Sequence, residues 1–170
     1  MKHLLLLLTL PLLLACTSKA QQPDVVDEQL SQDIGEMLLI GFRGQNIKDC
    51  SHLRRDLQQY HVGSVILFEY DAPTGQRHRN IASSKQLQQL CSQLQQLAGG
   101  NLLIGIDQEG GRVARMRKAD GFQTILSHQK SAALGLDTVR QQAHSNAQMM
   151  RSVGINFNFA PVADVNVNPD

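Results

Sequence analysis

Neither sign of charge dominates this chain. Its 16 Lys and Arg stand against 15 Asp and Glu, for a formal net charge of +1 over 170 residues, and no basic cluster occurs along it. The electrostatic footprint of a nucleic-acid binder is therefore missing. Cysteine is scarce, with 3 residues in all. The spacing of Cys50 and Cys91 fits no metal motif, so both are expected as buried free thiols in helices, although an exported location would permit a disulfide. There is no phosphate-loop spacing and no dinucleotide fingerprint. Long hydrophobic runs are lacking too. The longest, Leu4 to Leu14, is broken by Thr9 and Pro11 and is too short for a ~30 Å hydrocarbon core.

That run has the form of a secretory leader, with a short positive start at Met1-Lys2-His3 and an apolar centre. Its end, Leu13-Leu14-Ala15-Cys16, resembles the lipobox of bacterial lipoproteins. The resemblance implies that residues 1–16 are a signal peptide ending in the lipobox, that Cys16 is lipidated, and that the protein is exported to the bacterial cell envelope and anchored to a membrane. Residues 17–27 read as a polar tether, leaving 28–170 for the folded part.

The chain as a whole is 42% hydrophobic, and its length is enough for one domain with a real core. Apolar runs alternate with helical patterns. A polar helix over 27–36 precedes the run Met37–Phe42, and Leu53, Leu57 and Tyr60 mark a helix over 47–60. Val62–Phe68 is the second run. A helix over 80–98 carries Leu87, Leu90, Leu94 and Leu97 on one stripe. Leu102–Ile106 is the third run, a helix over 137–153 has Asp137 at its cap, and Ile155–Val162 is the fourth run. The paired glutamines Gln88-Gln89, Gln95-Gln96 and Gln141-Gln142 read as solvated helix faces. The runs lack polar alternation, as in strands buried on both faces. Repeated strand–helix units imply a parallel sheet, either a barrel or an open doubly wound sheet.

In such folds ligands bind at the carboxyl ends of strands. The third run there meets Asp107-Gln108-Glu109-Gly110-Gly111-Arg112, with Arg115 close behind. Asp107 and Glu109 point the same way if the strand continues, and Arg112 or Arg115 would neutralise one of them. An ion pair bracing a loop is the plainer reading of this cluster. The fourth run adds Asn156, Asn158 and Asp164. Glu69 and Asp71 share the favourable location after the second run but have no distinctive company. His52, His61, His78, His128 and His144 show no partner spacing and read as surface or capping residues.

The nonapeptide Asp107-Gln-Glu-Gly-Gly-Arg-Val-Ala-Arg115 resembles the amino-terminal domain of glycoside hydrolase family 3, in particular its bacterial β-N-acetylhexosaminidases. Gly41-Phe42, Val62–Phe68 and Gly154–Val165 agree in the same order. The resemblance implies a (β/α)8 TIM barrel, of which these 170 residues would be an amino-terminal fragment of about four β/α units. It further implies retaining hydrolysis of terminal β-linked N-acetylhexosamine from peptidoglycan or chitin-type saccharides, without a cofactor. Asp107 and Arg115 would contact the sugar, and Asp164 would lie near the pocket. Glu109, Gly110, Gly111 and Arg112 would give structural support. The nucleophile, an Asp, and the acid/base, a His paired with an Asp, would both lie beyond Asp170, so that this chain alone would not turn over. Three other readings remain open: another family 3 β-glycosidase, a metal-dependent barrel using Asp107, Glu109 and Asp164 as oxygen ligands, or a non-catalytic truncated lipoprotein.

Overall fold

The computed structural model describes residues 25–165 and 167. The leader, Cys16 and most of the tether lie outside the described residues. The first helix, α1, spans Val25–Glu36 and so begins inside the stretch read as tether. It is followed by β1 (Leu39–Gly41), a 3-10 turn at Ile47–Asp49, α2 (Ser51–Gln58), β2 (Ser64–Leu67), the short strands β3 (Tyr70–Asp71) and β4 (Gln76–Arg77), and α3 (Ser84–Leu97). Then come β5 (Leu103–Ile106), β6 (Gln108–Gly110), β7 (Val113–Ala114), a 3-10 turn at Lys118–Asp120, α4 (His128–Ala133), α5 (Leu136–Ser152) and β8 (Phe157–Asn158).

Four strands form one parallel sheet in the order β1-β2-β5-β8. Neighbours in the sheet are therefore neighbours along the chain. A doubly wound sheet reverses its order at a switch point, whereas a barrel does not, and this decides between the two architectures in favour of the barrel. The hairpins β3–β4 and β6–β7 stand apart from the sheet, rising from the ends of β2 and β5.

The core lies on one face only. Val65, Leu67, Ile104 and Ile106 are fully buried against Leu53 of α2 and Leu87, Leu90 and Leu94 of α3. The opposite face carries the row Gly41, Ile66, Gly105 and Phe157, in register across the sheet. A side-chain carbon on Gly105 would sit 3.1 Å from the ring of Phe159 and 3.5 Å from that of Phe157, so the strand stays bare where the two rings meet edge to face at 4.8 Å. Leu39 and Leu103 on this face are 41% and 47% exposed. The second face is apolar as well, and in a barrel it is the inner one, filled by side chains in layers, which accounts for the missing polar alternation.

Several local expectations are revised. Gly135, not Asp137, holds the cap position of α5. Asp137 lies in the first turn, where a carboxylate still meets the positive end of the helix, and it accepts from Arg140 at 3.2 Å. The glutamines are less idle than solvated faces. Gln95 both donates to Leu102 O (2.8 Å) and accepts from Leu102 N (3.2 Å), and Gln142 accepts from Leu126 N at 2.9 Å. A carboxamide carries donor and acceptor together, so it can satisfy loop backbone that has left a ladder. Cys91 is buried in α3 and its thiol is pushed up to about 12 by burial. Cys50 lies at the cap of α2, not inside it, and its thiol donates to Arg43 O at 2.7 Å. No disulfide joins them.

Candidate functional site

β5 delivers Asp107 to the carboxyl end of the sheet, and the chain then folds back on itself through β6 and β7. The reversal depends on Gly110 and Gly111, at φ +91° and +63°. A side chain on Gly110 would also run into the carbonyl of Leu126, and one on Gly111 would sit 2.8 Å from Ser127 Cβ. Only glycine fits both demands. The reversal brings Arg115 over Asp107, and Arg115 Nη2 donates to Asp107 Oδ2 at 3.0 Å.

Gln108 holds the turn from inside. It is fully buried, and its Oε1 accepts from Arg115 N (2.8 Å) and Met116 N (3.0 Å). Its backbone is gripped in turn. Asn158 Oδ1 accepts from Gln108 N at 2.9 Å, and Gln108 O accepts from Asn158 Nδ2 (3.2 Å) and Asn146 Nδ2 (2.9 Å). Asn156 does the same one pleat earlier, accepting from Ile104 N at 2.7 Å and donating to Leu102 O at 2.9 Å. Two asparagine side chains thereby bind backbone at the start of β5 and at the start of β6, where the two-residue β8 makes no ladder.

A second carboxylate approaches from β2. Glu69, 2% exposed, accepts from Arg117 Nη2 at 2.7 Å and lies 3.5 Å from Arg115 Nη1. Arg115 therefore bridges two carboxylates. The ring of Phe68 carries the guanidinium groups of Arg79 and Arg115 at 4.8 and 5.9 Å from its centroid, close enough for cation–π attraction. The β3–β4 hairpin is tied down beside them. Asp71 accepts from Arg43 Nε (2.9 Å) and Thr74 Oγ1 (2.7 Å), and the Arg43 hydrogen bond, then that of Thr74, holds its carboxyl below the ordinary aspartate range. Asp120 takes His78 Nε2 at 3.0 Å and Arg77 Nη2 at 3.4 Å.

The nine-residue motif is thus not a single cluster. Glu109 turns away from Asp107 and lines an apolar cavity of about 490 Å³ with Ile125, Leu126, Asn146, Met150 and Pro161. Among the described residues it has no cationic partner within 4.0 Å, and neither Arg112, which is exposed, nor Arg115 neutralises it. Asp164 is exposed and takes no part in the network. Among the described residues no three His, Cys, Asp or Glu side chains converge as metal ligands, so Asp107, Glu109 and Asp164 do not form the oxygen site of the metal-dependent reading. His78 is exposed, as expected of a surface residue, and it also bonds to buried Asp120. Glu69 does depart from expectation, because its company comes from distant segments. The one signal in the sequence was its place after β2, matching that of Asp107 after β5.

A parallel sheet in chain order, with a carboxylate–arginine pair at its carboxyl ends, defines an α/β domain of the TIM-barrel class. Within that class residues 29–170 match the glycosyl hydrolase family 3 N terminal domain, and the chain belongs to that family. It is 35% identical over 123 residues to a beta-hexosaminidase of Thiobacillus denitrificans, covering 68% of this chain and 31% of that protein. Against beta-hexosaminidase A of Pseudoalteromonas piscicida the identity is 31% over 166 residues, covering 82% and 26%. The solved family 3 beta-N-acetylglucosaminidase of a Paenibacillus strain superposes with a TM-score of 0.71 at 34% identity, covering 82% of this chain and 25% of that one. A Neisseria gonorrhoeae structure at 23% identity and TM-score 0.62 shares the fold. The chain spans about a third, or less, of the length of these curated relatives.

Proposed function

We propose that this chain forms the sugar-gripping wall of a retaining, exo-acting β-N-acetylhexosaminidase that is exported and anchored through lipidated Cys16. Family membership and the printed names of the relatives support the activity. The observation that carries the assignment of the wall is the Asp107–Arg115 pair, whose side chains stay 25% and 23% exposed at the strand ends while Glu69, Asp71 and Asp120 nearby are buried. The pair offers a carboxylate acceptor and a fork of N–H donors. That is the complement of a sugar hydroxyl, which both donates and accepts. A chain end presents such hydroxyls free, which suits exo-action on peptidoglycan or chitin-type saccharides.

The wall binds and orients, and in this proposal it does not cleave. Retention needs two groups flanking the scissile bond about 5 Å apart. Glu69 is closed off under two arginines and Glu109 faces another space, so neither serves opposite Asp107. By the family resemblance the nucleophilic Asp and the His acid/base lie beyond Asp170.

Saturation-transfer NMR with N-acetylglucosamine tests the wall. Asp107→Ala removes charge-assisted hydrogen bonds worth about 1.5–3 kcal/mol, so binding should weaken roughly ten- to hundred-fold. Unchanged binding would show the pocket to be elsewhere. A chromogenic N-acetylglucosaminide should survive incubation with the purified chain, and turnover would refute the inert wall.

A further inference from the structure

The buried acid behind the wall is not needed for any contact with a sugar, and it is unusually placed. Glu69 touches both Arg115 and Arg117, and its side chain is closed to solvent. Its Oε2 takes no hydrogen bond, and Nε of Arg115 is likewise buried without a partner. Buried carboxylates normally fill their acceptor sites. Asp107, Glu69, Arg115 and Arg117 together sum to zero charge. Removing Glu69 leaves two cations against one carboxylate directly beside the exposed pair.

We propose that Glu69 is a positioning and specificity-determining residue. It holds the Arg115 guanidinium in the plane that meets Asp107, and it cancels the second arginine so that the wall selects an uncharged hexosamine over an acidic sugar. The inference rests on the reading of Asp107 and Arg115 as the sugar contact. Without Glu69, Arg115 can swing on the Phe68 ring, and its charge becomes available to a ligand carboxylate. A hexuronic acid, repelled or ignored by a neutral site, would then find a partner.

Ligand-observed NMR titrations of the full chain with N-acetylglucosamine and with glucuronic acid test this, together with the Arg115 Nε–H resonance. In Glu69→Gln, N-acetylglucosamine binding should weaken at least five-fold while glucuronic acid binding strengthens, and the Arg115 resonance should broaden. The double variant Glu69→Gln/Arg117→Gln restores neutrality and should return the preference for the neutral sugar, an outcome that general damage to the fold would not produce. Parallel changes for both sugars, or none, overturn the role of Glu69. Asp107→Asn serves as the separate control. If it leaves N-acetylglucosamine binding intact the sugar-wall reading fails, and Glu69 is then judged on Arg115 alone, an unmoved resonance in Glu69→Gln overturning its positioning role.

Discussion

Gln108 shows how one uncharged side chain can govern a charged site. It touches no candidate ligand group, yet its Oε1 accepts from the amides of Arg115 and Met116. Truncation to Ala would leave two buried N–H groups unsatisfied, each costing about 1–3 kcal/mol, so Gln108→Ala should destabilise the chain by roughly 2–5 kcal/mol. A fall in the urea midpoint with unchanged slope would verify it, and a loss below ~1 kcal/mol would mean that water replaces the carboxamide. The sequence displays this residue inside the motif but hides its role, because a glutamine after a strand looks the same whether it points to solvent or into the turn. Glu69 was hidden for a related reason. Its meaning comes from Arg115 and Arg117, and no local spacing announces a contact between separate strand ends.

Among the elements, those with a repeating apolar pattern were legible and those held by single polar contacts were not. The stripe Leu87, Leu90, Leu94 marks α3, and all three residues are buried. The β3–β4 hairpin has strands of two residues each, too short for any period. Its stability comes from anchors such as Asp71 with Arg43 and Asp120 with His78, which lie far apart in sequence. That anchoring has a pH signature. The folded-state pKa of Asp71 is lowered, so its contribution is complete above the ordinary aspartate value near 4 and is lost as pH falls through the lower folded value. Asp71→Asn should therefore lower the melting temperature at pH 7, and the gap from the parent chain should close on acidification below the ordinary aspartate value. A gap constant with pH would assign the effect to packing instead of charge.

At the scale of the molecule, alternating strands and helices specified a parallel sheet but not whether it belongs to a barrel, because no local pattern carries the strand order β1-β2-β5-β8. Leu39, Leu103, Phe157 and Phe159 each expose 41–47% of their surface, and apolar patches of this kind mark contact surfaces. The folded chain should therefore raise the fluorescence of an anilinonaphthalene sulfonate dye, and Leu103→Asn should reduce that signal without changing the far-UV spectrum. The order of the sheet has a further consequence for synthesis. Each strand of the sheet pairs with the sheet strand that precedes it in the chain, so the wall can lengthen at a single growing edge as the ribosome releases residues. No earlier pair has to part to admit a later strand, and a pause in translation would leave a shorter wall rather than a wrongly threaded one.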